Sequence, residues 1–201
     1  MVETLMTIPS LLISAPGFSD SIFDKSVVLL IDRSSTGSIG FIINRPSSLS
    51  LKNMIEAETE EIPDTIPAWF GGPVDTATGI ILHKEKIAAD DKILGNGIVL
   101  SSNAKTLASM VQHAEAIYKQ GRQPSTDRIF ACDYAFRFIV GYAGWGPGQL
   151  EDELRNGLWI EQPVDLNILY HTPWNQMWDE CFTAVGVLPH QVTTNQQHFL
   201  N

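Results

Sequence analysis

The 201-residue sequence is short of positive charge, of cysteine and of long apolar runs, and each shortage excludes something. Lys and Arg number 13 against 23 Asp and Glu, a formal charge of −10. Nucleic-acid phosphates are held by neutralising them, so nucleic acid is an unfavourable partner for this chain. The deficit is uneven: Lys52 precedes Glu56, Glu58, Glu60, Glu61 and Asp64, and no Lys or Arg follows Arg155. The two cysteines, Cys132 and Cys181, form no CxxC pair and no disulfide framework. Both are expected to be buried, reduced hydrophobes. No apolar run approaches the roughly 20 residues that a membrane-spanning helix requires. No Lys or Arg precedes Lys25, so the apolar start lacks the basic region of a secretory signal. The expectation is a cytoplasmic, soluble protein with no membrane partner.

Catalytic signatures are equally scarce. The sequence contains no GxSxG, no GxxxxGK[ST] and no HExxH. His83, His113, His171, His190 and His198 show no metal-ligand spacing, so no metal and no cofactor are expected. Gly144, Gly146 and Gly148 form a turn ahead of a helix, but Gln149 stands where GxGxxG needs its last glycine. Glu151, Asp152 and Glu153 would fill the first turn of that helix and repel an anion. Glu151 and Glu153, two residues apart, diverge by about 200° and cannot share a substrate, so they are read as surface acids.

What is present reads as one domain, 1–201, with 188–201 a polar tail. Ser26–Ile31 and Ile39–Ile43 are apolar and β-branched around a turn-forming stretch, a hairpin covered on both faces. Ser50 is placed to cap a helix over 51–58. Further short strands are predicted at Ala68–Phe70, Ile80–His83, Gly97–Leu100, Arg128–Cys132, Phe136–Gly141 and Leu166–Tyr170. Leu107, Met110, Val111, Ala114, Ile117 and Tyr118 make one helical stripe, with Asn103 as N-cap and Gly121 as stop. Gln149–Arg155 is a second helix. A third opens at Thr172 and Pro173 as N-cap and N1, presents Trp174, Met177, Trp178, Phe182 and Val185, and ends at Gly186. This irregular alternation predicts an α+β fold with a mixed, largely antiparallel sheet. Arg45, ending the hairpin in Asn44–Arg45–Pro46, is expected to pin a loop through backbone carbonyls.

Taken in order, several segments carry a resemblance: FDKSVVLL from Phe23, GFIINRP from Gly40, GGPV from Gly71, and Leu82–His83. GYAGWGPGQLEDEL from Gly141 and DLNILYHTP from Asp165 are the most specific. On these the chain resembles the YqgE/AlgH family from about Ser10 to Val187. The resemblance implies a compact α+β domain whose sheet curls into a pseudo-barrel flanked by helices. It also implies a regulator-of-transcription label, chiefly for alginate production, and supplies no catalytic residues to carry over. The chain departs from the family pattern in its Gln/Asn-rich tail, where a GHA ending is usual, and in IFACDYAFRF before GYAGW.

The function expected is therefore an accessory or regulatory binding module, acting indirectly on transcription through a protein partner or a small ligand, rather than an enzyme. Arg45, His83, Tyr142, Trp145 and Gln149 are the candidate binding residues, being polar or aromatic groups inside the most distinctive motifs. The first alternative is a small-molecule sensor or enzyme with a pocket near Arg45, His83 and Trp145. Direct DNA binding, the second, is disfavoured by charge and would need Lys84, Lys86, Lys92 and Arg122 on one face.

Overall fold

The computed structural model describes residues 8–17, 21–54, 66–95, 97–119 and 136–186. In chain order the elements are β1 (Ser10–Ser14), β2 (Val27–Ser34), β3 (Gly37–Ile42), β4 (Pro46–Ser50), α1 (Leu51–Met54), β5 (Pro67–Phe70) and β6 (Val74–His83). They continue with β7 (Lys92–Gly95), β8 (Ile98–Ser101), α2 (Ala104–Lys119), β9 (Phe136–Trp145), α3 (Gln149–Arg155), β10 (Trp159–Pro163), α4 (Leu166–His171) and α5 (Trp174–Ala184). The strands form one curled sheet in the order β10-β1-β2-β3-β9-β6-β8-β7, with β4 paired to β5 and β5 to β9. Every registered pair is antiparallel except β5 with β9.

The unbroken apolar runs follow from helices on both faces of this sheet. Side chains alternate along a strand, so Leu11, Ile13, Val27 and Leu29 enter a core closed by Ile168 and Leu169 of α4 and Met177 and Phe182 of α5. Their neighbours Leu12, Val28 and Leu30 enter a second core, closed by Leu150 of α3 with Trp145 and Trp159. A third cluster joins Leu51 of α1 and Val111 and Ala114 of α2 to Ile81 and Phe136. Val27–Leu30 and Gly40–Ile42 are thus dry on both faces, as their composition predicts, whereas Asp32 and Ser34 near the turn are exposed.

β9 organises the sheet. Its residues Phe138–Val140 pair with β5 on one edge and with β6 on the other. Only Gly71, Gly72 and Pro73 separate β5 from β6, so the chain passes over β9 in three residues. The passage is tight. A Cβ on Gly72 (φ +149°) would stand 2.2 Å from the Tyr142 carbonyl carbon, and one on Gly141 (φ +72°) would stand 2.4 Å from the Gly72 oxygen. The crossing is held by the Gly71 amide donating to the Val140 carbonyl and the Ile42 amide donating to the Gly71 carbonyl, both at 2.8 Å. The GGPV and GYAG motifs are therefore the two halves of one close backbone contact.

Several local expectations hold in detail. The Asn103 side chain accepts from the Lys105 amide at 2.8 Å, capping α2, and Ser50 and Asn53 cap α1 reciprocally. Others are corrected. Leu166–Tyr170 is helix α4 and not a strand: the Asp165 carboxylate accepts from the Asn167 and Ile168 amides and starts a helical turn. A five-residue apolar run does not distinguish the two by period. α5 begins one residue late, with Pro173 at its N-cap, because Thr172 is extended and ends α4. The hairpin strands reach Ser34 and Gly37, further than expected, and β1, β4, β7 and β10 have no counterpart in the sequence expectations. The strand at Arg128–Cys132, Cys132 itself, residues 55–58, Gly121 and the tail 188–201 lie outside the described residues, as do the side chains of Ile117 and Tyr118. Cys181 is buried, and that burial pushes its thiol up to about 12, as an inert hydrophobe.

The crossing yields a direct prediction. Gly72→Ala meets both a backbone collision and a forbidden φ, and should cost about 3 kcal/mol or more. Gly157→Ala has a positive φ but open space around it, and should cost only about 1–2 kcal/mol. Urea unfolding of the two variants checks this; equal losses would contradict a steric requirement at Gly72.

Candidate functional site

Of the five candidate residues Arg45 and His83 stand apart, while Trp145 shares a carboxylate with Gln149 and a groove with Tyr142. Arg45 reaches the loop before β2. It donates to the carbonyls of Ile22 and Asp24, the latter at 2.7 Å, and to Ser26 Oγ at 3.3 Å. Beside it the Asn44 side chain accepts from the Val27 amide at 2.9 Å and donates to the Lys25 carbonyl at 2.8 Å. Together they fasten the loop that carries Phe23. That ring meets Trp159 edge-on at 5.5 Å, and Trp159 meets Trp145 edge-on at 5.8 Å.

Trp145 and Gln149 converge on one carboxylate. Glu153 Oε2 accepts from the indole nitrogens of Trp145 (2.8 Å) and Trp159 (2.7 Å). Its Oε1 accepts from Gln149 Nε2 at 2.8 Å, and Gln149 Oε1 accepts from the Gly146 amide at 3.0 Å. Buried indole N–H groups require acceptors, and Glu153 serves two. Glu151 is equally engaged. Arg33, with its side chain 9% exposed, bridges Glu151 and Glu161 at 2.9 Å each, and Glu161 also accepts from Ser10 Oγ at 2.6 Å. Burial acts to raise the Glu151 pKa, but the hydrogen bond from Arg33, a backbone amide and the charges of Arg33 and Arg155 together outweigh this and hold the carboxyl below its ordinary value. The expectation that Glu151 and Glu153 are surface acids is therefore corrected: both tie α3 to the sheet.

His83 lies apart, at the end of β6 beneath α2. It is 1% exposed, and neither ring nitrogen has a hydrogen-bond partner among the described residues. Asp91 Oδ2 stands 3.9 Å from Nε2. The Asp91 carboxylate accepts from the amides of Ile87 and Ala88 (2.8 and 2.7 Å) and from Thr106 Oγ1 (3.1 Å). Burial acts to raise Asp91, but these bonds and one from Ser101 prevail and hold it at about 2. Burial likewise favours neutral His83 and lowers its pKa, against the pull of Asp91 and the Glu85 backbone. Tyr170 closes this region, its hydroxyl directed at the carbonyls of His83 (3.0 Å) and Gly97 (2.7 Å).

Tyr142 and Trp145 share the lining of a surface groove. The groove, of about 360 Å³, lies between the β2–β3 turn and the start of β6, with Asp32, Thr36, Ile39, Val74, Tyr142 and Gly144 along it. Asp32, Ile39 and Gly144 are register partners across β2, β3 and β9 and make its floor. Gly144 leaves the floor open: a Cβ there would stand 3.3 Å from the Tyr142 ring. Asp32 is the one charged residue lining it, and no lining residue is basic. Among the described residues no group of three His, Cys, Asp or Glu could hold a metal, and no helix is long and apolar enough to cross a membrane.

Sequence reasoning missed Arg33 and Glu161, whose partners lie far away in the chain, and Asp91 and Trp159, whose nearer partners are reached only through turns. Only Gln149 and Glu153, four residues apart on a helix, were within reach of a spacing rule.

Acid should destabilise the protein in two steps. The lowered pKa of His83 means that the unfolded chain binds its proton first, so stability is lost as pH falls below 6.5. Asp91 contributes stability above 3.8 that is lost as pH falls toward about 2. Urea midpoints between pH 7.5 and 5 should decline for the natural sequence and flatten in His83→Leu. An unchanged slope in that variant would contradict a buried neutral imidazole.

Comparison with known proteins agrees with this geometry. Residues 11–190 match the AlgH-like family model. A UPF0301 protein of Thioalkalivibrio sulfidiphilus is 32% identical over 180 residues, covering 88% of each chain. One from Methylococcus capsulatus is 32% identical over 193 residues, covering 93% of each. The solution structure of the AlgH protein from Pseudomonas aeruginosa superimposes with a TM-score of 0.65 at 27% identity, covering 92% of this chain and 91% of that one. A crystal structure of a Corynebacterium diphtheriae protein shares the fold alone, with a TM-score of 0.63 at 20% identity over 92% of this chain and 90% of that one. The curled α+β sheet, the glycine crossing and these matches together make this chain a member of the AlgH-like family.

Proposed function

We propose that this chain is a cytoplasmic accessory or regulatory binding module, which engages its partner through the groove floored by Gly144. The observation that carries this reading is how the motif side chains are used. The polar atoms of Arg45, Trp145 and Gln149 hydrogen-bond to partners within the chain. The groove at Tyr142 instead offers an aromatic ring, apolar edges, hydroxyls and one carboxylate to solvent. Such a surface suits recognition of another molecule. Arg45, Trp145 and His83 occupy separate surroundings, which gives little support to a sensor or enzyme pocket built from those three.

A role in transcription is consistent with this reading if it is indirect. The charge of −10 and the acidic groove disfavour a phosphate backbone. Any influence on gene expression would then pass through a protein or ligand that the groove receives.

The test is a thermal-unfolding panel of nucleotides, sugar phosphates, metal salts, short oligonucleotides and short peptides, run on the natural sequence and on Gly144→Val. Valine at 144 would fill the groove floor. The expected result is a shift from neutral or basic ligands that disappears in Gly144→Val. A ligand at one hundred times its Kd adds about 2.7 kcal/mol, readily visible in the midpoint. A shift from nucleotides or oligonucleotides that survives the substitution would count against this site and this function.

A further inference from the structure

His83 is a buried polar group that its surroundings do not answer. Its side chain is 1% exposed, and neither ring nitrogen has a hydrogen-bond partner among the described residues. The backbone at this point is fixed. His83 is registered against Val99 of β8 and Phe136 of β9, and its carbonyl accepts from the Tyr170 hydroxyl at 3.0 Å. The ring instead meets the segment 84–91, with the Asp91 carboxylate and the Glu85 backbone acting on it from the two ends. That segment has little apolar contact to hold it: Glu85, Lys86 and Ile87 are exposed. Its turn is closed by Asp91, whose Oδ2 accepts from the Ile87 and Ala88 amides at 2.8 and 2.7 Å and whose own amide donates to the Ala88 carbonyl at 3.3 Å. The same Oδ2 stands 3.9 Å from His83 Nε2, beyond hydrogen-bond reach.

An imidazole so placed is stable only when neutral, because charging it costs desolvation with no bond to offset the cost. The groups around it do not change this. Asp91 is the carboxylate that faces the ring, and its oxygens are already engaged by amides and by Thr106. Along the segment Lys84, Glu85, Lys86 and Asp90 are at least partly exposed, and Asp90 bonds to Asn103. β8 brings Val99 and Ser101, α2 brings Thr106 with Lys105 exposed beside it, and α4 brings Tyr170. β9 brings Phe136 and then Arg137, whose charge bears on Tyr170. With the segment open, the ring meets water and titrates near its ordinary value of about 6.5. A proton therefore favours the open form over the closed one. Opening of this kind does not require the sheet to unfold, since segments with few buried apolar contacts open at lower free energy than the core. We infer that segment 84–91 is an acid-operated flap, closed over a neutral His83 and opened when that imidazole takes up a proton, while β6, β8 and β9 stay paired beneath it. The flap lies at the Phe136 end of β9, away from the groove at Tyr142 and independent of it.

The test is amide hydrogen exchange of the full chain labelled with ¹⁵N, at about pH 7.5 and about pH 5.5, with each rate divided by that of an unstructured chain. Ile87 and Ala88 should be much less protected than Leu29 and Ile139 of the core at both pH values. On acidification they should lose about a further tenfold, the change expected when one group titrates near 6.5 in the open form alone. His83→Leu should abolish that loss. His83→Gln, which keeps a polar side chain without a titrating ring, should do the same, so the test survives if either variant fails to fold. His171 is a second imidazole touching the segment, with Nε2 at 3.5 Å from Lys84 Nζ; His171→Gln should leave the loss in place. Protection of Ile87 and Ala88 equal to that of the core would mean that His83 is uncovered only by global unfolding, and would overturn the inference. Low protection that does not change with pH, a loss that survives both His83 substitutions, or a loss that His171→Gln abolishes would overturn it equally.

Discussion

The passage of the chain over β9 at Gly71 and Gly72 fixes most of what surrounds it. A strand has two edges, and β5 and β6 occupy both edges of Phe138–Val140 although only three residues join them. That connection leaves no room for a side chain where it meets Tyr142, nor for one on Gly141 beneath it. Beyond the crossing β3 pairs with Ala143–Trp145, the end of β9 that also lines the groove.

Carboxylates knit the second layer of the structure. Glu153 gathers two indoles and Gln149, Arg33 gathers Glu151 and Glu161, and Asp91 gathers two amides and two hydroxyls. The Arg33 bonds join segments distant in sequence, whereas the Glu153 and Asp91 bonds close turns between neighbouring elements. Glu151 and Glu153, inside the most distinctive motif, are thus engaged in architecture, while Asp32 at the groove is exposed. Removing one partner from a buried charge leaves the other uncompensated, so these contacts specify register more than they add stability.

Local chemistry was legible in the sequence, and distant pairing was not. The β2–β3 hairpin, the Asn103 cap of α2 and the helix at Gln149–Arg155 rest on neighbours within a few residues, and each was read from those neighbours. The motif order also led to the family. By contrast, β1 is sandwiched between β2 and β10, the latter some 150 residues away, and nothing in SLLIS signals that partner. The run at Leu166–Tyr170 is apolar under either period, and the Asp165 carboxylate decides for helix. Of the groove's lining, Tyr142 and Trp145 were singled out in the sequence, whereas Asp32 and Gly144 were passed over. A turn aspartate and a turn glycine look alike in sequence whether or not a groove lies between them.

Amide hydrogen exchange at Ile42 and Gly71 addresses the crossing most directly. Their N–H groups donate to Gly71 and Val140 at the point where the chain passes over β9. If that passage holds the sheet together, both amides open only when the whole domain unfolds, with the same exchange free energy as Leu29 and Ile139 in the core. Exchange of Gly71 and Ile42 through a local opening, at a free energy well below that of the core, would show instead that the sheet stands without the crossing.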